Sequence, residues 1–122
     1  MKESIKVLQE CAEVQNKKGN DYQNPHSRIQ QADYYPQGVA TLLDIIHAKM
    51  LRMRSVIEAM QNDPDYDPNF ESIEDSAKDM INYGSFIVEY SRGKMQGQNT
   101  DHDFLNRKKK SKVIKSNEES WS

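Results

Sequence analysis

Apolar positions recur along this chain at three- and four-residue steps, and no segment alternates with the two-residue period of a half-buried strand. Ile5, Leu8, Cys11 and Ala12, flanked by Val7 and Val14, form a helical stripe over about Glu3 to Lys18. Gly19 and Asn20 are its expected stop, with Lys17 and Lys18 in the last turn where cations suit the helix dipole. A polar and aromatic stretch from Asp21 to Pro36 follows, in which Ser27 is placed to cap a short helical turn through Ile29 and Ala32.

The second long helix is expected over about Gln37 to Gln61. There Val39, Leu42, Leu43, Ile46, Met50, Met53, Ile57 and Met60 keep one broad face apolar. Asn62, Asp63, Pro64 and Pro68 close it. A third helix is expected from about Glu71 to Ser91. Its apolar side holds Ile73, Ala77, Met80, Ile81, Gly84, Ile87 and Val88, and its first turn is acidic. The expected fold is all-α: three long helices and a short helical turn in a thin antiparallel bundle. Its broad apolar faces suggest completion by a second copy.

Composition sharpens the boundaries. The chain has 122 residues and a formal charge of -2. Residues 1–92 carry 10 Lys/Arg against 15 Asp/Glu, whereas residues 93–122 carry 7 against 4. The reading is a helical domain over 1–92 and a basic, disordered tail over 93–122. No apolar run approaches the length of a membrane-spanning helix, and no signal-type segment opens the sequence. With Cys11 as the sole cysteine, an internal disulfide and a zinc-type cluster are excluded. A cytoplasmic setting is the expectation.

Candidate chemistry lies in charged pairs at helical spacing. Glu10 and Glu13 are three apart on the first helix, and Asp75 and Asp79 are four apart on the third. Carboxylates so spaced on facing helices can converge on a magnesium ion, or serve as solvated helix faces. Asp79 borders an apolar stripe, where a carboxylate without a partner is costly. On the second helix His47, Lys49 and Arg52 lie within two turns, and Lys49 and Arg52 can share a phosphate. The alternative there is a polar face with an Asp44–His47 contact. Lys18, Asp21 and Tyr22 surround the first helix stop, where Lys can meet a phosphate and Tyr a base or sugar. The alternative is an ordinary helix end. Cys11 reads as core, not nucleophile. The tail run Arg107 to Lys112 would contact phosphates of DNA or RNA chiefly through charge, or serve only as a solubilising or low-selectivity tail.

Taken in order, Glu10-Cys11-Ala12-Glu13-Val14, Lys18-Gly19-Asn20-Asp21-Tyr22, His47 to Arg52 and Ser72 to Tyr83 carry a resemblance. They resemble the nucleotide-modification-associated domain family of phages and bacteria, related to the MazG-like all-α nucleoside triphosphate pyrophosphatases. The resemblance spans roughly residues 5–91. It implies an oligomeric helical bundle that cleaves nucleoside triphosphates with magnesium held by acidic residues of adjacent helices. Glu10, Glu13, Asp75 and Asp79 would hold the metal, with Glu13, Asp75 and Asp79 as the catalytic set. Lys18, His47, Lys49 and Arg52 would meet the phosphates, and Asp21, Tyr22 and Asn82 the base or sugar. The chain departs from the pyrophosphatase pattern in two places. Ser76 stands where a Glu precedes the closing Asp, and His47, Lys49 and Arg52 occupy a usually acidic middle helix. A non-catalytic binder of a nucleotide or signal molecule is therefore a second expectation. A phage inhibitor that binds a host protein is a third.

Overall fold

A computed structural model describes residues 1–22, 24–67 and 73–109, the side chains of residues 20–22 excepted. Three α-helices occupy most of this set: α1 over Glu3–Tyr22, α2 over Val39–Asn62 and α3 over Ile73–Ser91. A short 3-10 turn spans Gln31–Tyr34. No strand occurs among the described residues, where His102 and Lys108 form an isolated bridge. The all-α expectation holds, and no described helix is long and apolar enough to cross a membrane.

α3 is the helix on which both others pack, α2 more extensively than α1. Its direction relative to each follows from side-chain partners. Glu10 and Cys11 meet Lys78, and Gln15 meets Asn82 and Ser85, so residue numbers rise together and α1 runs parallel to α3. Lys49 meets Asp79, while Gly38 at the start of α2 lies against Tyr90 at the end of α3. α2 therefore runs antiparallel to α3, giving an up-down-up arrangement.

The principal core gathers at one end of this layer. Ala32, Tyr35, Val39, Leu42, Tyr90 and Met95 are buried together, with Ile45, Tyr83, Phe86 and Ile87 packed against them. Met95, from the segment expected as a basic, disordered tail, is buried in this core. Residues 93–109 fold back across the start of α2. The Phe104 carbonyl accepts the Val39 N–H at 2.9 Å, supplying a partner for a helix-start donor that has none within the helix. The Asn106 amide donates to the Pro36 carbonyl at 2.8 Å, and the Gln98 amide to the Tyr90 carbonyl at 2.8 Å. One well-placed methionine and carbonyl partners for exposed helix ends hold a segment that is poor in apolar residues. The remainder of the tail, including Lys110 to Lys112 and Trp121, lies outside the described residues.

Helix limits differ from expectation at two points. α1 continues through Gly19 to Tyr22, because a single helical glycine costs only about 1 kcal/mol and packing on α3 already holds the preceding turns. The 3-10 turn begins after Gln30, whose backbone N–H donates to the Asp33 carboxylate at 2.8 Å; the Ser27 hydroxyl instead accepts from Ile29 within the preceding loop. The face of α2 that meets α3 is also narrower than its apolar stripe. Val39, Leu42 and Val56 are buried, whereas Leu43, Met50, Ile57 and Met60 remain exposed.

Gly38 is the position on which the tail's docking depends. Its φ of +57° is left-handed, and a Cβ there would lie 2.5 Å from the Phe104 carbonyl oxygen and 2.8 Å from the Tyr90 ring. Gly19 is the opposite case, helical and with nothing within 4 Å of its Cβ position. Gly38→Ala is expected to lose at least about 2 kcal/mol in urea unfolding through backbone strain and displacement of Phe104. Gly19→Ala is expected to gain about 0.5–1 kcal/mol. Equal effects at the two positions would contradict the docking of residues 93–109 on α2.

Candidate functional site

Parallel α1 and α3 line a cleft along their C-terminal halves. Val14, Gln15, Lys18 and Gly19 contribute one wall, and Asp79, Asn82, Tyr83, Phe86 and Glu89 the other. Lys49 from α2 and Gln31 from the 3-10 turn complete a cleft of about 280 Å³. On α3 the spacing 79, 82, 86, 89 is a helical stripe, so these side chains emerge on one side of the helix.

At one end Lys49 Nζ lies 2.9 Å from Asp79 Oδ2, each side chain 25% exposed. The contact answers the cost of a carboxylate beside an apolar stripe by a charge-assisted hydrogen bond. In the middle, Gln15 Nε2 donates to both Asn82 Oδ1 and Ser85 Oγ at 2.8 Å. The Ser85 hydroxyl in turn donates to the Asn82 carbonyl at 2.6 Å. Asn82 is 8% exposed, and these contacts fix its carbonyl toward α1. At the other end Tyr83 and Phe86 meet edge to face, ring centroids 5.7 Å apart at 88°, beside Glu89.

Glu89 is half-buried, and its side chain makes no hydrogen bond or ion pair with another described residue. Burial pushes its carboxyl above the ordinary range. The Cys11 thiol is likewise pushed up, chiefly by burial, and its donor contact is the Lys78 carbonyl at 3.8 Å. Cys11 is a core residue at the α1–α3 contact, 2% exposed.

Of the residues singled out in the sequence, the cleft gathers Lys18, Lys49, Asp79 and Asn82. Glu10 lies outside its lining, paired with Lys78 at 3.3 Å. That bond is the main cause of a raised Lys78 ammonium pKa. Glu13, His47, Arg52 and Asp75 are exposed and do not line the cleft. The side chains of Asp21 and Tyr22 lie outside the described residues. Sequence reasoning passed over Gln15, Gln31, Phe86 and Glu89. The α3 stripe through Asp79 and Asn82 extends to Phe86 and Glu89 at three- and four-residue steps, and that periodicity was the available signal.

The expected magnesium ligands do not form a ready cage. Among the described residues no three His, Cys, Asp or Glu side chains gather in a metal-binding set. Asp79 already faces Lys49 and Glu10 already faces Lys78. A hard divalent cation takes six or more oxygen ligands, several of them anionic, and ammonium groups beside two of the four carboxylates oppose that arrangement. The cleft instead offers two lysines, amide donors and acceptors, an aromatic wall and a carboxylate at its far end.

No family model, no curated protein and no solved structure matches the chain.

The half-buried carboxylate has a consequence for stability. A folded-state pKa raised above the unfolded value means that the folded chain binds the extra proton between the two. Stability from this group is full below the ordinary carboxylate range and is lost as pH rises through the folded pKa. Glu89→Gln is therefore expected to raise Tm at pH 7 relative to the unaltered protein, with the gain shrinking as pH falls through the folded pKa and gone below the ordinary carboxylate range of about 4. Thermal unfolding by circular dichroism across that range checks it. A gain independent of pH would point to packing and not to charge.

Proposed function

We propose that this chain is a MazG-like nucleotide-binding protein, with the cleft between α1 and α3 as its nucleotide site. One observation carries the reading. Lys18, Lys49, and the Asp79–Asn82 pair come from three separate sequence blocks, and all line the same cleft. They supply two cations for a phosphate chain and an amide for sugar or base. Tyr83 and Phe86 add an aromatic wall suited to a planar base.

Within this reading the cleft binds without a resident metal. The Lys49–Asp79 pair places a lysine where the resemblance calls for a metal, and an ammonium can neutralise phosphate directly. A magnesium-dependent pyrophosphohydrolase is the second form of the same reading, favoured by the carboxylate blocks at Glu10–Glu13 and Asp75–Asp79. A second copy of the chain belongs to the proposal as well. Leu43, Met50 and Ile57 are exposed and spaced by sevens along α2, with Met60 beyond, as in the seam of a paired helix.

Isothermal titration with nucleoside triphosphates, in magnesium and in chelator, tests the site. Binding is expected in both conditions. Lys18→Ala and Lys49→Ala are each expected to weaken it about tenfold, the usual scale of one charge-assisted phosphate contact. Asp79→Asn separates the two forms. In a binder it removes the Asp79 charge beside Lys49, and affinity is held or increased. In a pyrophosphohydrolase it abolishes pyrophosphate release. A complete lack of nucleotide binding would remove the proposal and leave a helical protein that acts through a macromolecular partner.

A further inference from the structure

The nucleotide reading does not account for Glu89. A carboxylate beside a phosphate site is repulsive, and one that is half-buried without a donor lowers stability. Its position resolves the conflict. Glu89 lies ten residues beyond Asp79 on α3, about 15 Å along the helix axis, at the opposite end of the cleft from Lys49. A nucleoside with its phosphate chain spans such a distance. Between the two ends stand Asn82, Tyr83 and Phe86.

We propose that Glu89 makes this cleft selective for guanine, its carboxylate accepting the two N–H groups that guanine carries side by side at N1 and N2. This rests on the nucleotide reading and deepens it. An ionised carboxylate is acceptor-only, with two oxygens suited to two parallel donors. Guanine is the common base whose edge offers that pair. Adenine and cytosine place a ring acceptor next to a single amino group. Uracil and thymine flank a single N–H with two carbonyls. Each of these would set a lone pair against a carboxylate oxygen.

The surroundings of Glu89 fit a flat, donor-rich group. Phe86, one turn before it on α3, supplies an aromatic surface, and the Tyr83 ring set edge-on against Phe86 holds that surface in place. Opposite, Gly19 lines the cleft with no side chain, and nothing occupies the space around its Cβ position. The Gln31 amide, from the 3-10 turn, lines the same cleft and can bond a third atom of the base edge, the O6 carbonyl. Half-burial strengthens discrimination, because a polar group left without its partner in such a place loses more than one in open water.

Titration of the full chain with GTP, ATP, CTP, UTP and ITP tests this. ITP retains N1–H and O6 but lacks the N2 amino group. GTP is expected to bind at least about tenfold tighter than ATP, CTP and UTP, and ITP about tenfold weaker than GTP. In Glu89→Gln the preference for GTP over ATP is expected to fall below about threefold while ATP affinity is kept, with thermal unfolding confirming the fold. Equal affinities across the panel, or a guanine preference unchanged in Glu89→Gln, would overturn the assignment of Glu89 and leave the nucleotide site standing. Binding of no nucleotide would remove both. The ITP comparison uses the unaltered protein, so the outcome does not depend on the variant.

Discussion

The register of α1 against α3 is the constraint from which the rest of the molecule follows. Three polar contacts set it: Lys78 with Glu10, and Gln15 with both Asn82 and Ser85. Apolar contact between two helices tolerates a slide of a turn. A side-chain amide that must satisfy a carbonyl and a hydroxyl at 2.8 Å does not, because each lost bond in a half-buried seam leaves an unpaired polar group. Cys11 lies between these contacts, 2% exposed with its thiol toward the Lys78 carbonyl, and is small enough to let the helices approach. With the register fixed, Val14 to Gly19 of α1 and Asp79 to Glu89 of α3 face one another across the cleft.

The same economy of apolar contact explains the role of residues 93–109. Among its described side chains α1 carries few buried apolar ones, Cys11 being the one that is fully enclosed. The principal core therefore forms at the other face, between the start of α2 and the end of α3, and it needs a lid. Met95 and the Phe104 carbonyl supply one, the first by filling the core and the second by satisfying a helix-start donor. Gly38, with its left-handed backbone, is the place where lid and helix meet too closely for any side chain. Cleft and lid are thus separate consequences of one central helix that must be covered on two sides by different means.

Much of this was legible in the sequence. The three helices, their order and the absence of strand periodicity follow from apolar spacing, and Cys11 reads as core from its place in a stripe. The four cleft residues Lys18, Lys49, Asp79 and Asn82 were legible as chemistry-bearing types in ordered blocks. Other features were not. The fold of 93–109 rests on backbone carbonyls and a single methionine, and backbone hydrogen bonds leave almost no trace in composition. The partner of Asp79 was hidden because it is a lysine thirty residues away, on an antiparallel helix whose rotation the broad apolar stripe of α2 does not determine. The stripe spans more of the helix than α3 can cover, so its centre pointed to Leu43, Met50 and Ile57, which remain exposed.

Glu89 was passed over for a related reason: an acidic residue near a helix end reads as solvated surface unless its neighbours are known. In the folded chain it stands at the end of a stripe that begins with an ion-paired carboxylate, and the contrast between the two is informative. Asp79 and Glu89 line the same cleft from α3, yet among the described residues only the Asp79 carboxylate is ion-paired, to Lys49. A cation in ion-pair contact with Glu89 would have favoured its charged form and stabilised the fold. Its absence among the described residues leaves the carboxyl raised by burial, a cost the folded state carries at neutral pH. Costs of this kind persist where a ligand supplies the missing partner, since binding energy to a group held desolvated exceeds that to one already satisfied by the protein. The two ends of the cleft therefore differ: one carboxylate is paired within the fold, and the other is left for hydrogen-bond donors of the ligand to satisfy.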